Sequence, residues 1–308
     1  MTTEAASDTG HNFYRRTPLP CRTTLRWPNG MHLAFAILVS AEYYEMQPPE
    51  TAYIPPNVPG GFGRGPYPDF RVYTARAYGN RVGVFRLFDA LDRHGISATV
   101  AIDALTAKYC PAVAAEAVKR GYEIAGHGQA VTRVISTKMS ETEERDYIAD
   151  SLVAIEAAAG RRPAGWHGPE YGESARTPTL LAELGVDYVL DWPNDEQPYT
   201  MTTAGGPITS LPVAVDCDDV FSHFQRRITM RRWVQCVTDA IDRLAQDGRS
   251  SGRLLVLNVH PWLMGHPYRV TYFVEVLQYV AERRDTWVTT TDAIAAWWRT
   301  QEASISPR

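Results

Sequence analysis

Two near-continuous apolar runs, Met31–Val39 (MHLAFAILV) and Leu254–Val259 (LLVLNV), do most to limit what this chain can fold into. A strand apolar on both faces has to be covered on both, the pattern of parallel sheets walled by helices. Around the runs the chain alternates. Helices are expected over 81–93, 111–120, 179–184, 230–246 and 269–283, and short strands over 97–104, 122–125, 163–166, 187–190, 208–213 and 287–290. Ser140 followed by Glu143 is a capping box opening a long helix to Ala159, stopped by Gly160. A short helix to about Trp298 closes the chain. Strand and helix in succession imply parallel strands with right-handed crossovers. About seven or eight such units are near the number that closes a barrel. The expected fold is α/β, a single barrel domain over residues 21–300 after a flexible arm of residues 1–20 rich in Thr, Ser and Pro.

Composition narrows the function classes. A net charge of −4, with no long run of Lys or Arg, argues against nucleic acid or an anionic membrane as partner. Cys21, Cys110, Cys217 and Cys236 form no CxxC pair, so neither a zinc knuckle nor a dithiol motif is suggested. The polar N-terminus lacks the apolar core of a signal peptide, and no window is apolar for long enough to cross a bilayer, so a cytoplasmic protein with reduced thiols is expected. Residues 48–69 hold a loop dense in Pro and Gly, with apolar anchors at Tyr53, Phe62, Tyr67 and Phe70. A loop of this length is usually a lid, a binding loop or a subunit contact.

The chemistry sits where strands end. Leu254–Val259 runs directly into His260, a side chain that gives or takes a proton near neutral pH. Other strand ends lead to Glu42, His127, His167 with Glu170, and Asp191 with Asn194 and Asp195. Parallel strands put their carboxyl ends on one face, so these groups are expected to converge.

Those residues carry a resemblance. The chain resembles the polysaccharide deacetylase (NodB-homology) superfamily over about Met31 to Trp298. The landmarks are the first strand with Glu42, Tyr122-Glu123-Ile124-Ala125-Gly126-His127, Gly168-Pro169-Glu170-Tyr171-Gly172, and the His260 segment. The resemblance implies a distorted, incomplete (β/α)7-8 barrel. Sugar deacetylases of this superfamily end the first strand with two aspartates, a base and a metal ligand; here Ala41 and Glu42 stand there. Their second motif has two metal-binding histidines four apart; here these are His127 and Val131. Their third motif brings an arginine to the base, where this chain has His167-Gly168. The chain looks closer to the allantoinase and cyclic imidase-like branch, through its long Pro/Gly loop, Glu-x-Ala-x-His-Gly, and a histidine followed by Pro.

The resemblance implies hydrolysis of a non-peptide carbon–nitrogen bond, most plausibly in a small cyclic amide or ureide, by a homo-oligomer (dimer or tetramer). It implies either no cofactor or a single divalent metal such as zinc, held by Glu42 and His127. Glu42 or Glu170 is expected as general base, and His260 as the acid that protonates the leaving nitrogen, oriented by Asp191. His127 and His167 are expected near the oxyanion, with Asn194 and Asp195 at the substrate and Tyr171, Trp192, Phe62 and Tyr67 walling a pocket for a flat ring. Two other readings stay open: a metal-dependent N-deacetylase of an acylated sugar or small amide, and a non-catalytic barrel that binds a metabolite.

Overall fold

The computed structural model describes residues 11–52 and 67–305. Strand β1 (Leu33–Ala41) lies at the centre, with all nine residues buried. Three helices follow its loop: α1 (Phe70–Tyr78), then, through a π-helical turn at Gly79–Gly83, α2 (Val84–Arg93), and, after β2 (Thr99–Ile102), α3 (Ala104–Tyr109). The chain continues as α4 (Pro111–Lys119), β3 (Glu123–Gly126), α5 (Glu141–Ala159), β4 (Gly165–Trp166), α6 (Thr177–Glu183) and β5 (Tyr188–Val189). A hairpin of β6 (Tyr199–Thr203) and β7 (Gly206–Ser210) leads to α7 (Met230–Gly248) and β8 (Arg253–Val259). Then come α8 (Pro261–Met264), α9 (Pro267–Ala281), β9 (Thr286–Val288) and α10 (Thr291–Ile305).

The strands form one curled sheet in the order β6-β7-β5-β4-β3-β2-β1-β8, with β9 beside the start of β1. All pairs are parallel except β6–β7. Past β7, a single parallel bridge from Val213 to Val256 joins the free edge back to β8. This is the distorted, incomplete barrel that the sequence leads one to expect. Among the described residues no helix is long and apolar enough to cross a membrane.

Period-two packing explains β1. Leu33, Phe35, Ile37 and Val39 join the core beneath the helices, with Phe88, Trp233 and Phe273. Ala34, Ala36 and Leu38 face the other way, onto Val256, Tyr188 and Leu190, where the curl leaves room for small side chains. Helix α7 docks through the stripe Trp233, Val237, Ile241 and Leu244, and α5 opens on the expected capping box of Ser140 and Glu143.

Two departures from the expected elements matter for the site. The strand expected over 208–213 is β7, which runs parallel to β5 as expected but is also the second arm of a hairpin; its partner β6, Tyr199–Thr203, is too polar and half-exposed to register as an apolar run. The helix expected to begin at Arg81 begins at Phe70, where the Asp69 carboxylate accepts hydrogen bonds from the amides of Arg71 and Val72. It then passes through the π-helical turn because glycine permits a close approach: a Cβ on Gly83 would lie 2.1 Å from the carbonyl oxygen of Pro261. That contact presses the helix backbone onto the segment that follows His260. Of the expected arm, residues 1–10 lie outside the described residues. Phe13 and Tyr14 pack edge-on against Trp192, and Phe13 O accepts a hydrogen bond from the Thr202 amide on β6.

Candidate active site

The carboxyl rim of the sheet gathers a compact polar cluster. Glu42 leaves β1, His127 follows β3, His167 and Glu170 follow β4, and His260 follows β8. Together with Arg76, Tyr171, Asp218 and Asn258 they line a cavity of about 150 Å³. Glu42 sits at its floor. One carboxylate oxygen accepts from Arg76 Nη1 at 2.9 Å, and the other lies 3.7 Å from Nε2 of both His127 and His260. The Arg76 guanidinium, carried in by α1, stacks on the Trp262 ring at 3.8 Å. Asn80, in the π-helical turn, donates to the backbone oxygen of Glu42 at 2.8 Å.

Each of two histidines has its own aspartate. His260 Nδ1 faces Asp219 Oδ1 at 2.6 Å, and the His260 amide donates to Asp219 Oδ2 at 3.0 Å. Across the cavity, His167 Nδ1 faces Asp191 Oδ1 at 2.9 Å, and the Gly168 amide donates to the same oxygen at 2.8 Å. Both rings therefore carry hydrogen on Nδ1 and turn Nε2 away from their carboxylates. His127 donates from Nδ1 to the carbonyl oxygen of His167 and stacks on the His167 ring with centroids 5.0 Å apart.

The surroundings split the charge states. Burial works against an imidazolium at His260, but Asp219, Asp218 and Glu42 outweigh it and push its pKa up to about 10. At His167 burial prevails over the help of Asp191, and the pKa falls below the ordinary histidine value. Burial alone would raise Glu42; the His260 charge, the nearby His127 ring and Arg76 hold it down at about 2. At neutral pH the cavity thus presents a carboxylate, an imidazolium and a neutral imidazole.

Several expected residues lie elsewhere. Asp191 orients His167 and not His260, because β5 neighbours β4 while β8 lies beside β1. Trp192 sits under His11, Phe13 and Tyr14, donating to Glu173; Asn194 bonds Tyr14 and Tyr199; Asp195 pairs with Arg22. None of the three lines the cavity, since the chain turns outward after β5 toward the hairpin. Tyr67 bonds Tyr44 through the two hydroxyls, off the cavity, and Phe62 lies outside the described residues. Sequence reasoning missed Arg76, Asp218, Asp219 and Asn258. The Asp-Asp pair was the one available signal. Asn258 is fixed by Ser40 at 2.7 Å and in turn donates to Asp218 at 2.8 Å.

The residues present do not fit a zinc ion as sugar deacetylases hold one. Val131, at the position of the second histidine, is buried among Tyr44 and Val72 and offers no donor atom. Glu42 is already neutralised by a permanent cation, Arg76. His127 Nε2 is a buried nitrogen with no hydrogen-bond partner, a single donor where a catalytic zinc takes three protein ligands. Asp218, Asp219 and His260 do cluster within 4.8 Å. Their oxygens are engaged by the Phe221 amide, Asn258 and His260 itself.

A curled parallel sheet with titratable groups gathered at its carboxyl rim defines a β/α-barrel domain of enzyme type. Residues 76–189 match the polysaccharide deacetylase family. A curated relative, the peptidoglycan deacetylase-like protein FGM2 of Gibberella zeae, is 31% identical over 118 residues, which is 38% of this chain and 34% of that protein. The match thus spans about a third of the relative's length. A probable polysaccharide deacetylase from Pseudomonas aeruginosa PAO1 superposes with a TM-score of 0.80 at 23% identity, covering 91% of this chain and 95% of the other. Puue allantoinase superposes with a TM-score of 0.79 at 22% identity, covering 91% and 94%. The family match is confined to residues 76–189, and the chain as a whole shares the fold of these solved structures.

Proposed function

We propose that the protein hydrolyses a carbon–nitrogen bond in a small cyclic amide or ureide. The observation that carries this reading is the pair of aspartate-oriented histidines, one neutral and one charged, facing a single cavity of about 150 Å³. Environments that push two titratable groups apart mark an acid and a base. His167, neutral with Nε2 turned from Asp191, takes a proton from water. The water oxygen bonds to the ring carbonyl carbon, and the Arg76 charge stabilises the oxyanion. The C–N bond then breaks with its electron pair on nitrogen, which takes the Nε2 proton of His260. In a ring the leaving nitrogen stays tethered beside the new acid, so protonating it is what prevents reclosure. Glu42, with Arg76 and the charged His260 beside it, is too weak a base for this work and serves as the fixed counter-charge. This reassigns the base from Glu42 or Glu170 to His167.

A second reading, N-deacetylation of an acylated sugar or small amide, is favoured by the family match over residues 76–189. One assay separates the two: allantoin, hydantoin, succinimide, dihydrouracil and an N-acetyl sugar are offered to protein stripped with chelator, then again with zinc added. Ring opening that persists after chelation is the expected result. Acetate release that needs zinc, without ring opening, would overturn the proposal.

A further inference from the structure

The segment after β4 carries backbone strain at the cavity. Glu170 has φ 53° and ψ 31°, and Tyr171 has φ 57°, two successive left-handed residues with side chains. Such conformations are unfavourable for residues that carry a side chain, and glycine would relieve them. Strain of this kind persists where the surroundings impose it and clusters at functional sites. Here both strained residues line the cavity. Tyr171 lies edge-on to His167 with ring centroids 4.8 Å apart, and its hydroxyl donates to Asp218 at 3.3 Å.

Glu170 differs from every other acid around the cavity. Glu42 is held by Arg76, Asp191 by His167 and Gly168, Asp218 by Asn258, and Asp219 by His260. The Glu170 residue lines the mouth of the same cavity, is exposed to solvent, and its carboxyl accepts no hydrogen bond from any described residue. Desolvation by the protein around it and the negative charge of Glu42 raise its pKa, the condition of an anion lacking a donor.

We propose that Glu170 is a specificity-determining residue that accepts a hydrogen bond from an unsubstituted ring N–H of the substrate. The substrate class is then narrower than cyclic amides at large: an imide or ureide with a –CO–NH– group beside the reacting carbonyl. An N–H flanked by carbonyls is a strong donor, and a carboxylate is its strongest acceptor among side chains. The inference rests on the ring-opening reading above.

The test compares matched substrates, succinimide with N-methylsuccinimide and hydantoin with its 3-methyl derivative, on the full chain and on Glu170→Ala, Glu170→Gln and Glu170→Gly. The unaltered protein should prefer the N–H ring by roughly 10²-fold or more in kcat/KM, because a site built to bind a donor rejects the analogue lacking it. Glu170→Ala should lose activity on the N–H ring alone and so erase the preference. Glu170→Gln, which keeps an acceptor oxygen, should fall between. Glu170→Gly should erase the preference while melting no lower than the parent, since the strain is gone. Equal rates on methylated and unmethylated rings, or a parallel loss of both in Glu170→Ala, would overturn the role of Glu170 while leaving ring opening intact. Failure of the unaltered protein to open any ring would instead overturn the functional reading, and this inference with it.

Discussion

Asp219→Asn removes one charge from the cavity and almost no volume. Both oxygens of Asp219 accept N–H groups of the same residue, one from the His260 ring at 2.6 Å and one from its amide at 3.0 Å. An asparagine can accept only one of these and turns its NH₂ onto the other donor. The rise of His260 from 6.5 to about 10 corresponds to roughly 5 kcal/mol favouring the imidazolium in the folded protein. Asp219 is the largest of the three carboxylates behind that rise, so its loss, with one donor left unsatisfied, should cost about 3 kcal/mol. The sign follows from the direction: a raised histidine stabilises fully below its unfolded pKa and loses that contribution as pH climbs through the folded value, here between 6.5 and about 10. Urea unfolding should therefore show the whole deficit near pH ~6, and only the part owed to the unsatisfied donor above pH ~10. Ring opening should fall by about 10³, as expected when a histidine loses the carboxylate that fixes its tautomer. A variant as stable as its parent at pH ~6 would refute the assignment of Asp219 as counter-ion. A full deficit persisting above pH ~10 would refute the electrostatic origin.

Other outcomes follow from the same geometry. His260→Ala should reduce turnover by 10²-fold or more, measured by steady-state ring opening, with circular dichroism unchanged. The pH profile of kcat/KM should be a bell whose acid limb lies below the ordinary histidine value, where His167 becomes protonated, and whose alkaline limb lies near 10, where His260 loses its proton. Glu42, held at about 2 against 4.5, should contribute stability that is complete above pH 4.5 and disappears as pH falls toward 2; acid titration of Glu42→Gln should lack that component. Gly83→Ala would place a methyl 2.1 Å from Pro261 O, so thermal melting should show a loss of a few kcal/mol together with lowered activity.

Much of the rim was legible because parallel strands impose a simple rule: whatever follows each strand meets at one end. Glu42, His127, His167, Glu170 and His260 all obey it. What could not be read was which neighbour each would have. Asp191 was expected beside His260, yet partnership around a curled sheet depends on strand order, and β5 follows β4 in space. Arg76 enters from a helix whose contact with Glu42 leaves no local periodicity. Asp219 was visible in an Asp-Asp pair but had no partner until β8 brought His260 beside it. Glu123 teaches the converse. It belongs to the most recognisable motif, yet it opens β3 at the opposite end of the sheet, where it is bonded by the hydroxyls of Thr99, Tyr188 and Thr291 and by the Asp292 amide of α10.

The sheet closes on itself at Val213 and Val256 through one bridge, where β1 is laddered along β8 over seven pairs. A join of that kind has little cooperativity of its own, and amide exchange should begin there before it reaches β1. The residues just beyond it, Asp218 and Asp219, are the ones that keep His260 charged. Opening of the seam should therefore also displace the carboxylates that hold the acid, and a bulky ring that forces the seam apart should disarm the group needed to open it.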